Sequence, residues 1–316
     1  MKPFLLAGLL AASASALSAA EVDPELPTYQ PVSGVSGNLN SIGSDTLNNL
    51  MTKWAESFRV HYPNVNIQIE GAGSSTAPAA LIEGTAQIGP MSRPMRGEEI
   101  DTFEERFGHR PTEVKVAIDA LAVFAHRDNP VEGLTLQQVD GIFSSTYRLG
   151  GSTISDWGQV GVEPWAGRAV SIYGRNSASG TYGFFKEIAL GNGDFKSSVK
   201  EQPGSSAVVQ GVATDLYGIG YSGLGYRTSG VRVVPLGVEE GEYFDATYEN
   251  CMTGDYPLAR YLMVYVNKKP GEDMDRLTHE FVKFVLSREG QQIVADYGFY
   301  PLPAAVAAEV LEALAN

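Results

Sequence analysis

The stretch AVSIYGRNSASGTYGFFKEIAL (Ala169–Leu190) joins three patterns end to end. Ala169–Gly174 alternates as a strand, Arg175–Thr181 is a turn of small and hydroxylated residues, and Gly183–Leu190 has the apolar content of a helix. This strand–turn–helix order predicts an α/β unit with the helix start at the carboxyl end of a strand. Free backbone N–H groups, the positive end of the helix dipole and hydroxyl donors then meet at one point. Gly180 leaves the backbone open to a close approach, and Arg175 ends the strand four residues before Ser179. Its guanidinium suits bidentate contact with an oxyanion. Taken alone, the same residues also describe an ordinary N-cap.

The pattern recurs. GSDTLNNL places Ser44, Asp45 and Thr46 before a helix whose Leu47, Leu50, Met51, Trp54 and Phe58 share one face. GAGSSTAPAALI leads Ser74, Ser75 and Thr76 into a short helix with Pro78 near its first turn. A fourth segment, IGPMSRPM, follows a short strand with Ser92 and Arg93. Strand-like and helix-like segments alternate elsewhere: VNIQIE, the long β-rich run VKVAIDALAVFAHR with Asp119 at its centre, a helix opened by Thr135, then GIGYSG, VRVVPLG and RYLMVYVNK. Two helices follow, around 272–286 and 288–297. Alternation of this kind predicts α/β architecture, with largely parallel sheets and helices on both faces.

Lys2, the apolar run PFLLAGLLAASASALSAA and the small residues Ser18-Ala19-Ala20 read as a secretory signal peptide over residues 1–20, which predicts an exported, periplasmic or secreted protein. Residues 21–38 carry three prolines and two glycines and are expected to form a flexible leader. The rest exceeds what one core serves well. Two lobes are expected: residues 39–118 and 261–316 in the first, 119–260 in the second, with crossings near Ile118–Val123 and Tyr261–Val266. The single cysteine, Cys251, forms no intramolecular disulfide and is expected to be a buried thiol. A formal charge of −14 without a basic run argues against nucleic acid and anionic membranes as partners.

These residues carry a family resemblance. GSDTLNNLMTKWAESF, GAGSSTAPAALIEGTAQIGPMSRPM, AIDALAVFAHRDNP, GRNSASGTYGFF, GIGYSG, YPLARYLMVYVNK and SREGQQIVADYGFYPLP together resemble the periplasmic phosphate-binding component of phosphate ABC transporters, the PstS type. The resemblance spans most of residues 38–304, and arginine-x-x-x-Ser-Gly-Thr is its most specific element. It implies a type II periplasmic binding fold: two lobes, each a mixed sheet flanked by helices, joined by two hinge crossings, with inorganic phosphate dehydrated in the cleft. It also implies a permease in the inner membrane as partner, no cofactor or metal, no catalysis, and a monomer. Carried over by position, Arg175, Ser179, Gly180 and Thr181 match the second lobe's ligand loop; Ser74 matches the first lobe's serine, and Asp45-Thr46 its first helix start.

The departures from the family lie at the acids. Where well-known members have an aspartate that accepts the phosphate's proton, this chain has Ser92, followed by Arg93 as a second positive partner if it turns inward. Asp45 either takes over the acceptor role or caps the first helix. An acidic residue often follows the loop arginine by two positions and holds it; here that residue is Ser177. Other readings remain: another tetrahedral oxyanion such as sulfate or molybdate, a phosphatase, or a surface protein in biofilm adhesion. Catalytic signals are sparse. His61, His109, His126 and His279 are isolated, no HExxH, G-x-S-x-G or Walker A sequence occurs, and GIGYSG precedes a strand-like run rather than a helix.

Overall fold

The computed structural model describes residues 21–315; the expected signal peptide, residues 1–20, lies outside them. In chain order the first elements are β1 (Gly37–Ile42), α1 (Asn48–His61), β2 (Val65–Glu70), α2 (Ala77–Glu83), β3 (Ile88–Met91), α3 (Gly97–Phe107) and β4 (Thr112–His126). Next come β5 (Leu134–Thr135), α4 (Leu136–Phe143), β6 (Ser171–Arg175), α5 (Gly180–Ala189), β7 (Lys200–Gln202), α6 (Ser205–Ala213), β8 (Gly218–Gly223), β9 (Val231–Val233) and β10 (Leu236–Gly237). The chain closes with α7 (Tyr248–Thr253), β11 (Ala259–Val266), α8 (Arg276–Val285), α9 (Arg288–Asp296) and α10 (Ala304–Ala315). No helix among the described residues is long and apolar enough to cross a membrane.

The main sheet runs β2-β1-β3-β11-β4-β8-β6-β7, with β9 also on β4. Its two halves are parallel inside: β1 pairs β2 and β3, and β6 pairs β7 and β8, all in the parallel sense. The strands between them are not. β11 is antiparallel to both β3 and β4, and β4 is antiparallel to β8 and β9. The expectation of largely parallel sheets is corrected there, because a chain that leaves one half and later returns must run in the opposite sense. β4 itself serves both halves: Thr112–Ala120 pairs with β11 and Leu121–Ala125 with β8.

Periodicity explains the helix placement. Leu50, Met51, Trp54 and Phe58 turn one face of α1 into the core, where Phe58 meets Phe281 and Phe284 of α8 at ring separations of 5.3 and 5.6 Å. The Trp54 indole donates to the Gly290 carbonyl at 2.8 Å. Thr135 caps α4 through Gln138 N–H as expected. Four helices were not anticipated: α3, whose polar sequence buries only Phe103, α6, the short α7 and the alanine-rich α10. Cys251 is buried, which pushes its thiol up to about 12.

Residues 21–38 do not form the flexible leader expected of them. Leu26, Tyr29 and Val35 are buried, and the Tyr29 hydroxyl bonds the Tyr62 hydroxyl at 2.7 Å and donates to Glu280 at 3.0 Å. The carbonyl of Pro27 accepts from Arg288 N–H, and Asp23 accepts from Ala304 N–H. Three apolar anchors outweigh the proline-glycine composition, and the segment straps α1 to the C-terminal helices. Tyr29→Phe is expected to lower unfolding stability by about 1–2 kcal/mol, since it leaves a buried Glu280 oxygen short of a donor. An unchanged urea midpoint for that variant would mean that the strap contributes nothing.

Candidate functional site

Every segment singled out by the Ser/Thr-before-helix pattern lies at the carboxyl end of a parallel strand. Ser44 follows β1, Ser74 follows β2 and Ser92 follows β3, whereas Arg175 ends β6 and Ser179 opens α5. Such ends are where open α/β sheets hold ligands. The two sets of loops face each other. Thr46 and Thr181 hydroxyls meet at 2.8 Å, Ser75 N–H donates to the Ala178 carbonyl at 3.1 Å, and the Ser92 hydroxyl lies 3.5 Å from Thr181. The approach is close enough that a Cβ built on Gly180 would stand 2.2 Å from Ser74 Oγ and 2.7 Å from Ser92 Oγ.

The hydroxyls are oriented by their neighbours. Ser44 Oγ accepts from Thr46 N–H at 3.2 Å, Ser74 Oγ from Ser92 N–H at 3.0 Å, and Ser179 Oγ from Tyr182 N–H at 3.3 Å. A backbone amide only donates, so each of these oxygens spends a lone pair on it and keeps its own proton for another partner. Ser44 uses that proton on Ser92 Oγ at 3.0 Å. The cluster of Ser44, Ser74, Ser92, Thr46, Ser179 and Thr181 is buried. Its hydroxyls bond one another across the cleft.

Arg175 is 2% exposed. Its Nη1 donates to Ser205 Oγ at 2.8 Å and lies 3.2 Å from Asp45 Oδ2, and its buried Nε has no hydrogen-bond partner among the described residues. Burial pulls the guanidinium pKa down and the Asp45 charge opposes that pull; an arginine stays charged through both. Asp45 does not cap the first helix. Ser44 does so, while the Asp45 carboxylate reaches across to accept from Ser205 N–H at 2.8 Å at the start of α6. The support absent at Ser177 therefore comes from the facing loop: Asp45 holds Arg175.

Arg93 is not drawn into the hydroxyl cluster. Both of its terminal nitrogens bond Glu99 of α3, at 2.8 and 2.7 Å, and Nη2 also reaches Ser75 Oγ at 3.3 Å. Burial raises the Glu99 pKa, but the Arg93 hydrogen bonds and the Arg96 amide outweigh it, so the carboxyl sits below its usual range. An acid three residues into a following helix was available and claimed the charge. The second arginine in the cluster is instead Arg260, which the sequence reading did not single out. It pairs with Asp119 at 2.8 Å and donates to Thr181 Oγ1 at 2.9 Å. Each of the three arginines thus carries its own carboxylate, which leaves the region formally neutral. No group of three His, Cys, Asp or Glu residues suited to a metal ion occurs among the described residues.

A family model described as the PBP superfamily domain matches residues 28–289. The chain belongs to the PBP superfamily. Among relatives of this superfamily member is the phosphate-binding protein PstS of Pseudomonas aeruginosa, 56% identical over 98% of this chain and 96% of that protein. The protein SphX of Synechococcus elongatus is 27% identical over 91% of this chain and 84% of its own length. Solved structures share the fold. One from Clostridium perfringens, described as a phosphate ABC transporter substrate-binding protein with bound phosphate, has a TM-score of 0.72 at 27% identity and covers 84% of this chain and all (100%) of that one. An ABC-type phosphate transport receptor from Vibrio cholerae has a TM-score of 0.65 at 22% identity, over 84% of this chain and 100% of that one. The two-lobed type II binding-protein architecture expected from the resemblance is the fold of this chain.

Proposed function

We propose that the protein captures inorganic phosphate between its two lobes and delivers it to the permease of an ABC transporter in the inner membrane, working from the periplasm as a monomer. One observation carries the reading: the hydroxyls of Ser44, Thr46, Ser74 and Ser92 meet those of the α5 start, Thr181 above all, across one cleft, with Arg175 held at its edge by Asp45 from the facing loop. A tetrahedral oxyanion has four acceptor corners, and donors from both walls bind all of them only when the walls are together. The proposed ligand set is Ser44, Asp45, Thr46, Ser74, Ser92, Arg175, Ser179, Gly180 and Thr181, with Arg93 behind them on Glu99. The names of the Pseudomonas and Clostridium relatives support phosphate as the anion. The lobes are residues 39–118 with 261–316, and 119–260, with β4 and β11 as crossings.

Phosphate near neutral pH keeps a proton that sulfate lacks, and a site of donors alone gives that proton nothing. Asp45 is the carboxylate for this role, since Oδ2 takes the Ser205 amide and Arg175 while Oδ1 takes no hydrogen bond among the described residues. Calorimetric titration of the anion-stripped protein with phosphate, sulfate and molybdate is the test. Saturable phosphate binding with sulfate at least about 100-fold weaker is expected, the scale of one unpaired buried polar contact. Equal sulfate binding, or none of phosphate, would sink the proposal. Asp45→Asn is expected to weaken phosphate about 10- to 100-fold and to narrow the gap to sulfate; if the gap survives, the proton acceptor is another group.

A further inference from the structure

We infer that Arg260 is a further residue of the anion site, acting as a positioning residue that fixes the direction in which the Thr181 hydroxyl donates. The inference rests on the reading of the cleft as a phosphate site. Arg260 stands directly opposite Asp119 in the β11–β4 ladder, one residue before β4 changes partner from β11 to β8. Its Nε and Nη2 donate to Asp119 Oδ2 at 3.1 and 2.8 Å, and Asp119 Oδ1 accepts from Leu224 N–H at 3.1 Å. The guanidinium has two further contacts, one on each wall of the cleft. Nη1 donates to the Ser92 carbonyl at 2.7 Å, and Nη2 donates to Thr181 Oγ1 at 2.9 Å.

A guanidinium has donors only. Thr181 Oγ1 therefore accepts from Arg260 on one lone pair, which favours its giving its own proton across the cleft, where Thr46 Oγ1 stands at 2.8 Å, as a backbone amide favours donation by Ser74 and Ser179. Thr181 lies in the first turn of α5, and its side chain is oriented by an arginine instead of an amide. Without Arg260 the hydroxyl is free to accept as readily as to donate, and an anion then meets a lone pair. The buried pair is hard to explain by stability, because an apolar pair of similar volume avoids the desolvation cost. Its remaining donors end on Ser92 and Thr181, which an apolar pair cannot supply. Burial lowers the Arg260 pKa and the Asp119 charge opposes it, so the pair delivers a directed proton donor without adding net charge to the cleft.

The test is a calorimetric double-mutant cycle with inorganic phosphate, run on wild type, Arg260→Gln, Thr181→Val and the double variant. Each single change is expected to weaken phosphate about 10- to 100-fold, the worth of one hydrogen bond to a charged group. If Arg260 acts through Thr181, the double variant binds within about threefold of the weaker single one, and Arg260→Lys recovers part of the loss. Fully multiplied losses in the double variant, or wild-type affinity in Arg260→Gln, overturn the inference. Should Arg260→Gln fail to fold, Asp119→Asn/Arg260→Met takes its place in the cycle, since it removes both charges and keeps an acceptor for the Leu224 amide. Absence of phosphate binding in the wild type is a separate outcome, which removes the phosphate reading and this inference with it.

Discussion

Arg175→Ala is expected to weaken phosphate binding about 10³-fold, which is roughly 4 kcal/mol and the scale of removing one partner from a buried charged contact. The side chain is 2% exposed, and its Nε has no other partner among the described residues. Alanine thus removes a donor that nothing nearby replaces. The fold should survive, because Asp45 is partly exposed and retains the Ser205 amide as partner. Titration calorimetry gives the affinity, and a thermal melt of the ligand-free variant checks the fold. Wild-type affinity in a folded Arg175→Ala protein would place the anion elsewhere in the molecule.

Gly180→Ala is expected to cost at least as much affinity while leaving the ligand-free protein within about 1 kcal/mol of wild-type stability, because alanine is a good first-turn residue. The reason is steric. The added methyl would lie 2.2 Å from Ser74 Oγ and 2.8 Å from Ser74 Cβ, atoms that come from the opposite wall. Each wall folds unhindered, and only their approach is blocked. Small-angle scattering separates this from local damage: phosphate should contract the wild type and leave the variant's radius of gyration unchanged. A variant that contracts and binds normally would show that the walls yield at this point.

Much of this site is legible in the sequence because it is local. A strand, a small-residue turn and a helix start occupy neighbouring positions, so Arg175 to Thr181 declare themselves, as do Ser44–Thr46 and Ser74–Thr76. What stayed hidden depends on contacts between distant segments. The Asp45 carboxylate ends on Ser205, 160 residues away, and no spacing rule distinguishes that from a cap on its own helix. Arg93 was drawn off by Glu99, a choice made by the fold of α3, whose sparse apolar positions concealed the helix itself.

Arg260 is a different case, since a signal was present. Asp119 and Arg260 are opposite charges, the first within the apolar stretch 116–125 of β4 and the second within β11, and buried charges need partners. Pairing them on that ground alone would have located the seam between the halves. α10 is also readable afterwards, with Ala307, Val310 and Leu314 buried along one face.

The pairing of each arginine with its own carboxylate has a consequence for rates. The protein carries a formal charge of −14, and the neutral cleft offers no opposing field at its mouth. Small anions therefore arrive by diffusion that is unaided, or weakly resisted until salt screens the surface. Phosphate and sulfate are expected to enter with similar frequency, and any difference between them to lie in how long each stays. On the proposed reading, discrimination is exercised at the exit, in the lifetime of the closed state, and competing anions should delay capture without being kept out.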